Sequence, residues 1–158
     1  MTIHELCAAL AGRPVIAAVR DESALEAAVD SQCVAVFFLG GSILSLPGWV
    51  EKAKRAGKAA FAHVDLLQGV KADAAALEWC KQAMPLDGVI STRAPLLKAA
   101  RGVGLLEWAG QSTHFGPTAC LIRYVFICNA VDGLSAFGHK NHQEHWHISK
   151  GEHHGEIL

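Results

Sequence analysis

Four short apolar runs, each followed by a stretch with helical periodicity, organise the first two-thirds of this 158-residue chain. A buried parallel strand reads as a continuous apolar run, and a helix usually connects it to the next parallel strand. The sequence predicts strands at 14–19, 33–39, 59–64 and 88–90, and helices at 21–30, 47–56, 73–84 and 95–101. This alternation predicts an α/β fold of βα repeats with parallel strands and right-handed connections.

The composition changes sharply after residue 106. Seven of the nine histidines lie beyond residue 110, where the alanine-rich helical patterns have ended. Residues 121–128 predict one strand from their β-branched and aromatic content, and the rest of this stretch predicts loop or disorder. We therefore divide the chain into a βα domain at 1–106 and a divergent, histidine-rich tail at 107–158. Metal sites need ligands in fixed geometry, and a loop or disordered segment does not provide it. We therefore expect no metal site in the tail.

Charge and hydropathy exclude several classes of protein. Fourteen Lys and Arg against fifteen Asp and Glu leave a net charge of −1, which argues against binding to nucleic acid through bulk electrostatics. No signal segment precedes the first predicted strand, and no run approaches the roughly 18 apolar residues of a membrane helix. Five scattered cysteines are typical of reduced thiols. We expect a cytoplasmic protein without a membrane partner or a cofactor.

Polar residues follow the third predicted strand, and they suggest a site at one edge of the sheet. His63 and Asp65 are two residues apart, so on a continuous strand both side chains would point to the same face. The carboxyl ends of parallel strands are where ligands bind in α/β folds. Asp65 can accept hydrogen bonds from ligand hydroxyls, and His63 can donate to a phosphate or hold Asp65. The alternative is a structural His–Asp pair inside the fold.

A second polar segment follows the fourth strand. Hydroxyl, amide and guanidinium groups of Ser91, Thr92 and Arg93 stand just before a predicted helix and could bind an anion. Alternatively, one of the two hydroxyls caps that helix. Arg20, directly after the first strand, either reaches the same ligand or is a solvated surface residue.

The best basic cluster is on the second predicted helix and the turn after it. It consists of Lys52, Lys54, Arg55 and Lys58, and it is the candidate RNA-binding surface. Such a run is also the ordinary solvated face of an amphipathic helix. The sequence lacks an evident aromatic platform for stacking unpaired bases.

Taken together, these segments resemble the glycerol-3-phosphate-responsive antiterminator family, the glycerol uptake operon antiterminators. The resemblance covers about residues 10–106 and lies in Arg13–Arg20, Val36–Ile43, Lys54–Lys58, His63–Gly69, Asp87–Arg93 and Gly104–Leu105. It implies a cytoplasmic bacterial regulator with a TIM-barrel-like fold that binds glycerol 3-phosphate and leader mRNA, prevents premature termination and is not an enzyme. The implied ligand site consists of Arg20, His63, Asp65, Gly69, Ser91, Thr92 and Arg93.

The chain departs from this family after Leu105. The Gln–Arg strand, the Asp–Ser and the Pro–Gly segment expected in the second half of the barrel are absent from residues 107–158. The fold is therefore expected to be an incomplete TIM-barrel-like repeat, whose open sheet edges could pair two copies. Two other interpretations stay open. One is a βα-barrel enzyme that uses His63 and Asp65 on a small phosphorylated substrate, and the other is a truncated or frameshifted remnant without function.

Overall fold

The computed structural model describes residues 1–109, together with the backbone of four short strands within residues 125–145. Within this part of the chain, no helix is both long and apolar enough to span a membrane. The tail predicted at 107–158 lies mostly outside the described residues, so its boundary stays a prediction. The strand predicted at 121–128 lies partly outside them, and the strand described there is Val125–Asn129.

Helices and strands alternate through the described part of the chain. The helices are α1 (Ile3–Gly12), α2 (Glu22–Asp30), α3 (Leu46–Arg55), α4 (Ala74–Ala83) and α5 (Ala94–Gly102). The strands are β1 (Val15–Val19), β2 (Ala35–Phe38), β3 (Ala59–His63), β4 (Gly88–Ser91), β5 (Leu106–Ala109), β6 (Val125–Asn129), β7 (Gly133–Phe137), β8 (His139–Lys140) and β9 (Glu144–His145).

The main sheet has the strand order β5-β4-β3-β2-β1-β6-β7, and a separate pair joins β8 to β9. Strands β1 to β5 are all parallel to their neighbours, and each sequential pair is connected through one helix. Strand β6 pairs with β1 in parallel, and β7 returns antiparallel to β6. The predicted α/β fold of βα repeats with parallel strands is confirmed for β1 to β5. Self-association through a sheet edge stays a prediction.

Helix boundaries follow from local side-chain chemistry. Asp21 accepts a hydrogen bond from the Ala24 N–H at 2.9 Å and so caps α2. Asp73 caps α4 through the Ala76 N–H at 3.2 Å. Each carboxylate satisfies a backbone donor that the first helical turn leaves free, which fixes where the helix begins.

Helices α2 to α5 cover one face of the sheet. Inward residues of β1 to β4 meet apolar residues of these helices in one continuous core that includes Val19, Leu25, Phe38, Leu77 and Val89. Leu25 and Leu77 have no exposed surface, and burial of a leucine side chain stabilises a fold by about 1.5–3 kcal/mol. This packing holds the strands in register and so positions their carboxyl ends.

Helix α1 packs on the opposite face, where Leu6 and Leu10 join a second apolar cluster. The aromatic rings of this cluster interlock, with ring centroids 5.4 Å apart for Phe37 and Phe61 and 4.9 Å apart for Phe37 and Trp108. The sequence patterns did not predict α1. Its start is marked by a capping box in which Thr2 and Glu5 bond reciprocally to each other's backbone N–H.

A buried ion pair ties the amino end of β4 to helix α3. One Asp87 oxygen accepts hydrogen bonds from Lys54 Nζ at 2.7 Å and from the Ala60 N–H at 2.8 Å. The side chain of Asp87 is only 4% exposed. Burial pushes the pKa of Asp87 upward, but the bonds from Lys54, Ala60 and the Met1 ammonium group outweigh it, and the pKa lies below its ordinary value. This end of the sheet is therefore held by charge as well as by apolar packing.

Candidate functional site

The carboxyl ends of β1 to β4 lie along one rim of the sheet, which we call the carboxyl rim. Parallel register places His63 of β3 beside Ile90 of β4. The loops after β2 and β3 are also joined, because the Ile43 N–H donates to the Gln68 carbonyl and the Gln68 N–H to the Gly41 carbonyl, both at 3.0 Å. The rim is thus a connected edge of the fold.

Strand β3 ends one residue earlier than the sequence predicts. His63 is its last residue, and Val64–Leu66 form a 3-10 turn. The expectation that His63 and Asp65 share one strand is therefore wrong. The physical reason is that Val64 packs into the helix-side core at 1% exposure, while the turn carries Asp65 toward β4. The two polar groups still meet, since His63 Nδ1 lies 3.7 Å from Asp65 Oδ2.

Asp65 is the centre of a hydrogen-bond network. Its Oδ2 accepts from the Ser91 hydroxyl at 2.7 Å and from the Thr92 N–H at 3.2 Å. Its Oδ1 accepts from Arg93 Nε at 2.6 Å. Three donors from the end of β4 therefore converge on one carboxylate after β3, and the predicted ligand residues Ser91, Thr92 and Arg93 come together here.

Arg93 extends this network to a third backbone segment. Its second guanidinium nitrogen donates to the Ala72 carbonyl, just before α4, at 2.8 Å. The fully buried Ser91 hydroxyl accepts from the Arg93 N–H at 3.0 Å while it donates to Asp65. Arg93 is the N-cap residue of α5, and no side-chain capping bond is present there. The Ser91 hydroxyl therefore links the two rim loops, and it does not cap α5.

Burial and hydrogen bonding set the charge states of the pair. Burial of the imidazole lowers the pKa of His63, and the nearby Asp65 charge only partly opposes this. Burial pushes the pKa of Asp65 upward, but the bonds from Ser91, Arg93 and Thr92 outweigh it, so the pKa lies below its ordinary value. At neutral pH the rim therefore presents a charged Asp65 beside a neutral His63.

These shifts predict how stability depends on pH. The pKa of His63 is lower in the folded state than the unfolded value of 6.5, so the unfolded state takes up a proton first as the pH falls. The free energy of unfolding is therefore unaffected by His63 well above pH 6.5 and decreases as the pH falls below it. We expect the free energy of unfolding, measured by urea titration, to fall from pH 7.5 to pH 5 less steeply in His63→Gln than in the wild type. His4→Gln, at an exposed position, is the control and should follow the wild type. Parallel curves for His63→Gln and the wild type would refute the assignment.

The remaining predicted ligand residues also lie on the carboxyl rim. Arg20 is exposed and directly follows β1. Its backbone is approached closely by the loop after β2, where a Cβ on Gly40 would be 3.1 Å from the Arg20 carbonyl oxygen. Gly69 adopts φ +85°, and a Cβ there would lie 3.2 Å from Ile43, so glycine lets the loop after β3 close against the loop after β2.

One neighbouring feature was not identified from sequence. An open groove of about 670 Å³ runs beside Arg93 and the start of α5, and it is also lined by Lys71, Asp73 and Leu96. The sequence feature that could have indicated this groove was Lys71, in the loop after β3. Isolated basic loop residues are common, so that signal could not be separated from an ordinary surface lysine.

The four basic residues predicted to bind RNA all have partners within the protein. Lys54 bonds to the buried Asp87, and Lys58 Nζ donates to the Ser31 carbonyl at 2.6 Å. Lys52 pairs with Glu26 and Arg55 with Glu51, both on the exposed surface. The cluster therefore divides into two cations that hold the fold and two in exposed ion pairs.

Comparison with known proteins gives a family and a curated relative. A family model described as "Glycerol-3-phosphate responsive antiterminator" matches residues 15–108. The uncharacterized protein YgcP of Escherichia coli (strain K12) is 46% identical over 91 residues, which are 58% of this chain and 48% of that protein. The chain thus spans about half the length of this curated relative.

Two solved structures have a similar fold. The glycerol uptake operon antiterminator regulatory protein of Listeria monocytogenes aligns with a TM-score of 0.57 at 22% identity, over 72% of this chain and 66% of that one. A glycerol uptake operon antiterminator-related protein of Thermotoga maritima aligns with a TM-score of 0.53 at 26% identity, over 59% of this chain and 52% of that one.

Proposed function

The chain belongs to the glycerol-3-phosphate-responsive antiterminator family, and we propose that it binds glycerol 3-phosphate at the carboxyl rim and acts on the leader mRNA of a glycerol operon. In this proposal the protein works in the cytoplasm as a regulator and not as an enzyme. Occupancy of the rim biases the shape or assembly of the protein, because a ligand shifts an equilibrium by its differential affinity for the two states.

The observation that carries this proposal is the convergence of polar groups at His63, Asp65 and Ser91. His63 Nδ1 is buried, and no hydrogen bond to it is formed within residues 1–109. Most buried polar atoms are paired, and an unpaired one costs about 1–3 kcal/mol. A ligand hydroxyl would supply the missing bond if the imidazole turned toward the rim on binding, and this supports a polyol ligand there.

Glycerol 3-phosphate needs hydrogen-bonding groups for its hydroxyls and a cation for its phosphate. The rim has a carboxylate and an imidazole at the end of β3, and guanidinium groups at Arg20 and Arg93. Gly69 allows the loop after β3 to lie close to this site. Ligands of α/β proteins bind at this edge of the sheet, which supports the choice of site.

For the RNA partner we propose the exposed part of the basic cluster. Lys52 and Arg55 form surface ion pairs, which are worth little in water and can be exchanged for phosphate contacts. Lys54 and Lys58 would act indirectly, by fixing α3 and the start of β3. RNA binding at α3 would leave the carboxyl rim free for the effector.

Thermal unfolding tests the effector. A ligand at 100 times its dissociation constant stabilises the folded state by about 2.7 kcal/mol, so saturating glycerol 3-phosphate should raise the Tm by several degrees. Glycerol or inorganic phosphate at equal concentration should give a smaller rise, since each lacks half of the contacts. The Arg20→Gln variant should respond less than the wild type, and Arg55→Gln, on α3, should respond like the wild type.

The effector assignment is wrong if millimolar glycerol 3-phosphate leaves the Tm of the wild type unchanged. An equal rise with glycerol would show that the phosphate is not recognised. An equal response of Arg20→Gln and the wild type would remove Arg20 from the site.

A further inference from the structure

We propose that Asp65 determines specificity by holding the uncharged hydroxyl end of glycerol 3-phosphate and rejecting an anion there, so that the phosphate lies toward Arg20. This inference rests on the proposed function and orients the ligand along the carboxyl rim. It differs from the expectation drawn from sequence, in which Ser91, Thr92 and Arg93 bind the anion.

The donors after β4 already serve an internal anion. The Ser91 hydroxyl, the Thr92 N–H and Arg93 Nε all donate to Asp65, at 2.7, 3.2 and 2.6 Å. Charge-assisted bonds of this kind are strong. A phosphate at these donors would have to displace a carboxylate that is part of the same fold.

The charges at this end of the site also cancel. Arg93 carries one positive charge and Asp65 one negative charge, with Nε and Oδ1 2.6 Å apart. His63 is neutral at pH 7, since burial lowers its pKa. A phosphate beside Asp65 would therefore meet a like charge, and the opposite charges of Lys71 and Asp73 in the adjacent groove add no net positive charge to attract it. A hydroxyl can instead donate to Asp65, whose side chain is partly exposed.

Arg20 is placed to receive the other end of the ligand. It follows β1, which is separated from β3 by β2 alone. Neighbouring strands are about 4.8 Å apart, so Arg20 starts roughly 10 Å from the end of β3, a gap that its long side chain and a three-carbon phosphate ester can bridge. Within residues 1–109, no ion pair engages Arg20.

Isothermal titration with two ligands tests the orientation. Glycerol 3-phosphate has an uncharged end, and 3-phosphoglycerate has a carboxylate at that position. The wild type should bind glycerol 3-phosphate about 100-fold more tightly, because like charges brought together strongly disfavour the wrong ligand. In Asp65→Asn this preference should fall below about 10-fold. Glu51→Gln, which removes an exposed carboxylate on α3 and leaves Asp65 in place, is the matched control and should retain the preference.

The outcomes separate this inference from the proposed function. Failure of the wild type to bind glycerol 3-phosphate overturns both. If the wild type binds glycerol 3-phosphate and 3-phosphoglycerate equally well, only the proposed orientation is overturned. This comparison uses the wild type alone. Unchanged discrimination in a folded Asp65→Asn protein, checked by circular dichroism, also overturns it.

Discussion

Replacement of Asp87 by asparagine is expected to lower the free energy of unfolding by about 3 kcal/mol, because Lys54 and the Met1 ammonium group both lose their buried carboxylate partner. Lys54 Nζ lies 2.7 Å from the Asp87 carboxylate, and the side chain of Lys54 is 28% exposed. Water can solvate part of the released charge, which places the effect at the low end of the range for buried pairs. Urea unfolding at pH 7, followed by circular dichroism, measures it.

The matched control is the exposed pair of Arg55 and Glu51 on the same helix. Glu51→Gln should change the free energy of unfolding by less than about 0.5 kcal/mol, since exposed ion pairs contribute little. If Asp87→Asn were as mild as Glu51→Gln, the buried pair would not be what fixes α3 to the amino end of β4.

Gly88→Ala is expected to destabilise the protein by about 3 kcal/mol, at the upper end of the usual cost of overpacking a core. A Cβ at Gly88 would lie 2.5 Å from the Leu106 carbonyl oxygen and 2.5 Å from a ring carbon of Phe61. The first contact is with the backbone of the neighbouring strand β5, and the second is with a ring that is 1% exposed. Neither can withdraw without opening the β4–β5 pairing or the aromatic cluster.

Gly48→Ala provides the control for this substitution. Gly48 is exposed in α3, and a Cβ there would meet no atom within 4 Å. Alanine in a helix is favoured over glycine by about 0.8–1.0 kcal/mol, so this variant should be as stable as the wild type or more so. A Gly88→Ala protein with unchanged unfolding would contradict the close approach of β4 and β5.

Local patterns were sufficient to predict the elements from β1 to α5. Apolar runs and helix ends such as Pro47 and Gly57 place these boundaries within one or two residues of those observed. Helix α1 was missed because its apolar stripe is short, although Thr2 and Glu5 give the capping signal. Strand β3 was extended too far because Val64 is apolar whether it belongs to the strand or to the turn that buries it.

Long-range polar contacts could not be predicted in the same way. The sequence pattern places Lys54 on a solvated basic helix face, and only the fold shows that it pairs with Asp87, 33 residues later. Likewise, the sequence predicts that Arg93 binds an anion, but the structure shows it bonded to Asp65, 28 residues earlier. Apolar periodicity predicts which face of a helix or strand is buried, but it does not predict which charged residue of another element will pair with a given side chain.

Amide chemical shifts can locate the effector, which we propose binds at the carboxyl ends of β1 to β4. In a titration of isotope-labelled protein with glycerol 3-phosphate, we expect the largest changes in the ¹H–¹⁵N spectrum at Gly69, Thr92 and Arg93. The amides of Ala60 and Asp87, at the opposite end of the sheet, should remain unchanged. Shifts concentrated at Ala60 and Asp87, or none at saturating ligand, would contradict binding of the effector at the carboxyl rim.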